Sequence, residues 1–305
     1  MMQKIIDGNK IAQQFKNEIK KEIENLKKES KLIPKLVAVQ VGENPASKVY
    51  VKNQSLNCNE VGIEYELVQF QQDITEEQLI FQLDKLNSDK TITGIILQMP
   101  LPSHINSRYI QSCISFKKDV EGITPASLGA LFYSDIKLVT APCTAMAVME
   151  ILKTTGIELK GKETVIIGHS EIVGKPLVLM LLNSILESAT PTVCHIATKN
   201  LKVHTSRAEI LIVAVGKPGL ITGDMIKEGS IVIDVGINRV PVKDEKGNTV
   251  LDEKGKPKMK TVGDVVYEQA IEKVSLITPV PGGVGPVTTA MLLRNTMQLY
   301  RTYQK

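Results

Sequence analysis

The feature that most constrains this chain is a series of short apolar runs, each followed by a helical pattern. LVAVQVG (36–42) comes after Pro34, ends in Gly42 and reads as a buried strand. Asn44 and Pro45 then supply a helix start, with Asn as the cap and Pro at the first helical position. That helix stops near Gly62, IEYELVQF (63–70) is the next strand, a helix covers about 75–86, and TGIILQ (93–98) is a third strand. Upstream, Ile11, Phe15, Ile19, Ile23 and Leu26 share one face of a helix over 10–29. This alternation with short connections predicts a parallel sheet. The pattern returns after Pro142, with a helix to Lys153, strand ETVIIG (163–168), a helix near 172–186, and strands PTVCH (191–195), EILIVAVG (209–216) and SIVIDVG (230–236). The second half therefore reads as an open nucleotide-binding sheet. The expected fold class is α/β with two domains: an N-terminal parallel-sheet domain over 1–140 and a Rossmann-like domain over 141–286. The last helix, about 287–303, is expected to pack back on the first domain. A length of 305 residues agrees, because single cores stop growing near this size.

Other classes are set aside by charge and composition. The net charge is +4, and no long basic run interleaves with aromatics, so a nucleic-acid partner is not expected. No apolar run is long enough to span a membrane, and MMQKIIDGNKIAQQ turns amphipathic at once, unlike a signal peptide. Cys58, Cys113, Cys143 and Cys194 form no C-x-x-C pair and read as reduced thiols of a cytoplasmic protein, with no metal site. Residues 241–260 stand apart: they carry ten charges in twenty residues and repeat DEKG at 244–247 and 252–255. They read as a solvated β-hairpin or excursion.

Polar groups gather where the sheet pattern puts ligands, beyond the carboxyl ends of strands. Gln98 ends the third strand, and the helix after the first strand carries Tyr50 and Gln54 one turn apart on one face. KKDVEG (117–122) adds Asp119 and Glu121, and VPGGVGPVT (280–288) is a loop through which a flat ligand can approach the backbone closely. GHSEIVGKP (168–176) follows a strand and opens a helix. It is not G-x-G-x-x-G, yet such a turn can present backbone N–H groups to a phosphate. An NAD site usually has an acid at the end of its second strand for the ribose hydroxyls; here that end reads Cys194-His195-Ile196-Ala197-Thr198-Lys199. The missing acid favours NADP and leaves NAD open. His169 reads equally as a contact to a 2′-phosphate and as a solvent-facing loop residue.

These stretches, with VGENPASKVYV (41–51), GIILQMPLP (94–102), PCT (142–144), IDVGIN (233–238), VGDV (262–265) and ITPVPGGVGPVTTAMLLRNT (277–296), lie in order along nearly the whole chain. The chain resembles the methylenetetrahydrofolate dehydrogenase/cyclohydrolase family of one-carbon metabolism, which serves purine biosynthesis. The resemblance implies a two-domain enzyme, usually a homodimer, acting on a tetrahydrofolate derivative held in a cleft between domains. It places Tyr50 near the pterin, Gln98 and Glu121 at the pterin's polar edge, and Pro281 and Gly282 on the folate side. Gly168, His169, Ser170, Ile196 and Ile237 match cofactor positions, together with Thr144 and Thr288.

The chain also departs from the family. Gln54 stands where the family has a Lys, Glu121 where it usually has Asp, His169 where it usually has Arg, and Ala145 where PCT is usually followed by Pro; the segment 239–261 is longer than usual. Hydride transfer needs two rings held in geometry and no obligatory base. Hydrolysis of the methenyl cation needs protons moved, and an amide cannot move them. The expectation is a dehydrogenase whose cyclohydrolase is weak or lost, because losing a positioned acid–base costs roughly 10²–10⁴-fold. The alternative is a fully bifunctional enzyme in which Glu121 or a water chain takes the role of the Lys.

Overall fold

The computed structural model describes residues 4–43, 45–133, 139–184, 186–244, 247–253 and 255–304; within 45–49, only the Lys48 side chain is described. Asn44, the expected helix cap, lies outside the described residues. The chain forms two compact units, Ala12–Met146 with Thr288–Lys305, and Met1–Ile11 with Ala147–Val287. The sequence pattern had grouped 1–140 together; residues up to Ile11 instead join the second unit. There Ile6 N–H donates to the Ile277 carbonyl and Gly8 N–H to that of Gly282, both at 2.9 Å.

The first unit is built from α1 (Gly8–Lys28), β1 (Lys35–Val41), α2 (Pro45–Val61), β2 (Glu64–Phe70), α3 (Glu76–Ser88), β3 (Gly94–Leu97), α4 (Ser107–Ser112) and α5 (Pro125–Phe132). The second contains most of α6 (Cys143–Thr154), then β4 (Glu163–Ile167), α7 (Gly174–Leu181), β5 (Thr190–Cys194), α8 (Leu201–Thr205), β6 (Ile210–Val213), β7 (Ile231–Asp234), β8 (Asn238–Pro241), β9 (Met259–Val262), α9 (Tyr267–Lys273) and β10 (Leu276–Ile277). The chain closes with α10 (Val284–Tyr303), most of which belongs to the first unit. Among the described residues, no helix is long and apolar enough to cross a membrane.

In the first unit the sheet order is β2-β1-β3, all parallel. Central β1 is covered on both faces, which explains its unbroken apolar run: Leu36, Val37, Ala38 and Val39 are fully buried. Ile19, Ile23 and Leu26 of α1 pack with Leu36, Ala38 and Ile63 and with Leu292, Leu293 and Tyr300 of α10 on one side. Val37, Val39, Ile95 and Leu97 pack with Leu79 and Leu83 of α3 on the other. Gly62, at φ +89°, ends α2 in the conformation that glycine tolerates best. Lys118, within the KKDVEG stretch, is buried, and its ammonium donates to the carbonyls of Leu86 and Asp89, closing the end of α3.

In the second unit the parallel order is β10-β7-β6-β4-β5. The chain turns from β4 to β5 on one side and then crosses to β6 on the other, so the switch point lies at the carboxyl ends of β4 and β6. β8 and β9 pair antiparallel and form the base of the charged segment. Within it each DEKG opens with the same turn. Asp244 N–H donates to the Asn248 carbonyl at 2.9 Å and Asp252 N–H to that of Lys256 at 2.7 Å, and each Asp carboxylate accepts the N–H four residues on.

Asn295 of α10 ties together the two connecting segments that carry Val120 and Ala141. Its buried amide donates to the carbonyls of Val120 at 2.8 Å and Ala141 at 3.0 Å. Removing it leaves the Ala141 carbonyl without this donor and the Val120 carbonyl with only the weak Cys143 thiol at 3.5 Å, at a cost of about 1–3 kcal/mol each. Asn295→Ala is expected to lower stability by about 2–4 kcal/mol in urea titrations; an unchanged midpoint would show that water replaces the amide without loss.

Candidate active site and nucleotide-binding site

In the first unit the carboxyl ends of β1 and β3 carry the polar groups. Gln98 follows β3 directly, and its N–H donates to the Val39 carbonyl at 2.8 Å, which holds it against β1. The Gln98 side chain is buried, and its Nε2 donates to Gln54 Oε1 at 2.9 Å. The Tyr65 hydroxyl of β2 donates to the same Gln54 oxygen at 3.2 Å. Burial raises the Tyr65 pKa well above the ordinary phenol value, so it remains a neutral donor. Gln54 is thus fixed from two strands, with its NH₂ left as donor. Tyr50 stands exposed on α2, one turn before Gln54.

The segment after β3 returns beside it. Asp119 bridges in parallel to Ile95, which carries Glu121 to the carboxyl end of β3, the end that bears Gln98. Asp119 is buried and fully engaged: its carboxylate accepts from Gly122 N–H at 2.9 Å, Thr124 N–H at 2.8 Å and the Ser127 hydroxyl at 2.8 Å. Gly122 adopts φ +66°, and a side chain there would meet the Ala141 backbone at 2.3 Å. Burial, and then the Asp119 charge, push the half-buried Glu121 carboxyl up to about 8. Burial, and then the charge of Glu121, push the Cys143 thiol up as well. Thr144 and Thr288, expected at the cofactor, belong to this unit.

The second unit holds the remaining expected residues. Gly168 leaves β4 at φ +114°, and a side chain there would meet the Ala214 carbonyl oxygen at 2.2 Å; one at Gly174 would meet that of Gly168 at 2.1 Å. Only glycine fits either position, and the loop is drawn tight onto the start of α7. Ser170 Oγ accepts from Val173 N–H at 3.2 Å, and the His169 ring is exposed. Ile196 after β5 and Ile237 after β7 are exposed apolar side chains at the same sheet edge. Such a cradle, with backbone amides at a helix start and apolar surfaces beside it, fits a dinucleotide. Pro281 and Gly282 line a cleft of about 350 Å³ with Asn9, Asp234, Ile237 and Thr261. Gly8 presses on this loop so closely that a side chain would sit 1.8 Å from the Gly283 oxygen.

Two aspartates that sequence reasoning passed over shape this edge. Asp234 accepts from the N–H groups of Gly236, Asp264 and Val265 at 2.9–3.0 Å. Asp264 accepts from Val215 and Gly216 N–H at 2.8 and 2.9 Å and from the Asn238 amide at 2.8 Å. They stitch together the ends of β6, β7 and β9. Burial raises Asp234 to about 6 despite those three donors. Both lie within motifs already singled out, IDVGIN and VGDV, which was the available signal. Tyr65 was also missed as a partner of the site, and Asp119, singled out with Glu121 in KKDVEG, proves to be spent on backbone and hydroxyl donors.

Residues 142–304 match the family model for the tetrahydrofolate dehydrogenase/cyclohydrolase NAD(P)-binding domain, and residues 6–121 match that for the catalytic domain. A bifunctional FolD protein from Moorella thermoacetica is 46% identical over 301 residues, covering 99% of this chain and all of the relative. The crystal structure of FolD methylenetetrahydrofolate dehydrogenase/cyclohydrolase from Campylobacter jejuni is 42% identical with a TM-score of 0.88, covering 98% of each chain. A Trypanosoma brucei methylenetetrahydrofolate dehydrogenase-cyclohydrolase, solved with NADP and an inhibitor, is 34% identical with a TM-score of 0.87, covering 99% of this chain and 98% of its own.

Glu121 should set the pH response of the fold. Its carboxyl keeps its proton up to about 8 when folded, against an ordinary 4.5. Between those values the folded chain binds a proton that the unfolded chain has lost, so stability is fully present below 4.5 and falls as pH rises toward 8. Asp234 acts in the same direction only up to about 6. Urea midpoints of the natural chain should therefore fall between pH 6 and 8, and those of Glu121→Gln should stay level across that window. Parallel declines would show that another group titrates.

Proposed function

Because the chain belongs to the tetrahydrofolate dehydrogenase/cyclohydrolase family, we propose that it catalyses both reactions: oxidation of 5,10-methylenetetrahydrofolate with NADP⁺ and hydrolysis of the resulting methenyl cation to 10-formyltetrahydrofolate. The observation that carries the second step is Glu121. At position 54 an amide cannot move protons, yet a carboxyl with a proton affinity near neutrality follows Asp119, which bridges in parallel to Ile95 of β3. The naming of the Moorella and Campylobacter proteins as bifunctional supports the same reading.

When bound, the nicotinamide accepts a hydride from the bridging methylene. The chain's part in that step is geometric: Tyr50 offers a ring face to the pterin, and Pro281 and Gly282 let a flat ligand close on the backbone. Gln98 keeps its own carbonyl free, since its amide nitrogen is spent on Gln54. For hydrolysis, water adds to the bridging carbon, Glu121 takes its proton, the carbon–N5 bond breaks and N5 is protonated; one proton is released overall. Acting as base, Glu121 must first lose its own proton, so enzymatic hydrolysis should climb with pH toward 8. The missing acid after β5 supports NADP over NAD. A homodimer in the cytoplasm completes the reading and rests on the family alone.

A second reading rests on Gln54 itself. Locked by Gln98 and Tyr65, it offers no substitute for the family's amine, and the chain would then be a dehydrogenase with little hydrolysis. Paired rates on purified protein decide. The bifunctional reading expects NADP⁺-dependent oxidation and methenyltetrahydrofolate hydrolysis well above the buffer rate. Glu121→Gln should cut that hydrolysis by about 10²-fold or more while oxidation changes only a few-fold. Hydrolysis at the buffer rate beside brisk oxidation selects the second reading, under which Gln54→Lys alone should restore little because Glu121 also differs.

A further inference from the structure

The amino end of β3, opposite the end that bears Gln98, adjoins a separate cavity of the first unit, of about 480 Å³. Lys90, Lys117 and Lys118 line it, together with Leu32, Leu299 and Tyr303. Its polar walls are tied to one another. The Thr93 hydroxyl donates to Gln304 Oε1 at 2.6 Å, and Gln304 Nε2 donates to the Lys90 carbonyl at 2.8 Å. The Asn87 side chain donates to the Cys113 carbonyl at 2.8 Å and accepts from Ser115 N–H at 2.9 Å. The cavity is therefore preformed, and its volume lies in the range of small-molecule sites.

Lys118 is only 8% exposed, and its ammonium donates to the carbonyls of Leu86, at 2.6 Å, and Asp89. An ammonium has three donors, and among the described residues the third has no acceptor and no carboxylate forms an ion pair with it. Burial lowers its proton affinity below the ordinary lysine value, and the Asp89 charge offsets that only in part. A buried cation without a countercharge is costly. Closing the end of α3 asks for one cation, yet two more stand at the same cavity. Lys117 is exposed, and its ammonium lies 5.8 Å from the Tyr303 ring centroid and 5.9 Å from that of Phe116. Lys90 is exposed beside them, and neither lysine forms an ion pair among the described residues. Asp89 is the one acid of the lining, and its carboxylate accepts from the Thr91 N–H at 2.8 Å and the Thr91 hydroxyl at 2.7 Å.

We propose that this cavity binds a phosphorylated small molecule, with its phosphate among Lys90, Lys117 and Lys118 and its organic part against Leu32, Leu299 and Tyr303. A phosphate dianion supplies the buried ammonium with a countercharge and accepts its remaining N–H. Bonds of this kind are about twice as strong as neutral ones. The lysines outnumber the one acid, so the cavity concentrates a positive potential that draws an anion in. Inorganic phosphate alone leaves the apolar wall uncovered, whereas an ester with a flat apolar part covers it. Leu299 and Tyr303 belong to α10, and Lys118 to the segment that precedes Asp119. An occupant bridges the two and thereby stabilises the first unit.

Phenyl phosphate is the probe, since it joins a phosphate to a flat apolar ring. Calorimetry at fixed ionic strength and about pH 7.5, where the phosphate is largely a dianion, should give a Kd of about 1 mM or tighter. Inorganic phosphate should bind about tenfold more weakly, and phenol should show no measurable binding. Amide shifts in NMR spectra should centre on Lys90, Lys117 and Tyr303. Lys90→Gln and Lys117→Gln should each weaken binding by about fivefold, and the double variant should lose it. Absence of phenyl phosphate binding, shifts centred instead on the loop from Gly168 to Ser170, or unchanged binding in the double variant overturns the site. Inorganic phosphate binding as tightly as phenyl phosphate overturns it too, leaving an adventitious ion only. Lys118→Met should weaken binding further; where that variant does not fold, the two exposed lysines and the shift map still decide.

Discussion

Parallel pairing is the constraint on which the rest depends. In both larger sheets every strand runs the same way, so every carboxyl end opens on one edge and every strand exit is a place to mount a side chain. Gln98 and Gln54 meet at one such edge; His169 and His195 meet at the other, where Ile196 and Ile237 are exposed after β5 and β7. The cost of parallel sheets is burial on both faces, and the unbroken apolar runs of β1, β4, β6 and β7 meet it. In these covered strands the buried positions are mostly apolar, whereas the edge strands β2 and β5 keep polar residues along their length.

Strand ends also collect unpaired backbone amides, and acids answer them. Asp234 and Asp264 between them accept from five backbone N–H groups. Asp119 accepts from two, and from a hydroxyl. Such carboxylates hold loops in shape and have few lone pairs left for a ligand. Glu121 differs because no such donors offset its burial: desolvation first, and the Asp119 charge second, keep its proton on to about 8.

Much of this was legible in the sequence. Apolar runs with glycine exits announced the strands, and the spacing of Tyr50 and Gln54 announced a shared helix face that the structure retains. What escaped was whatever depends on strand order. Tyr65 reaches Gln54 only because β2 lies beside β1, and His195 reaches His169 only because β5 lies beside β4. From the sequence His169 read equally as a contact to a 2′-phosphate and as a loop residue, and nothing paired it with His195. Residues up to Ile11 likewise gave no local sign of joining the later half, since Ile6 and Gly8 attach through backbone bonds to Ile277 and Gly282. The charged repeat was legible as a hairpin because Asp and Gly recur at the positions a tight turn demands.

The exchange of a lysine for Gln54 and of an aspartate for Glu121 looks at first like two losses. Burial acts on amines and carboxyls in opposite directions, lowering the proton affinity of one and raising that of the other. A desolvated amine approaches neutrality from above, and a desolvated carboxyl approaches it from below. Proton handling near neutral pH can therefore pass from one group to the other, provided the carboxyl is kept from ion-pairing. An amine at position 54 would supply such a partner and pull a nearby carboxyl back toward its ordinary value. An amide there supplies none, and Gln98 and Tyr65 hold it in place. The base role proposed for Glu121 thus asks that no cation pair with its carboxyl, and an amide at position 54 adds none.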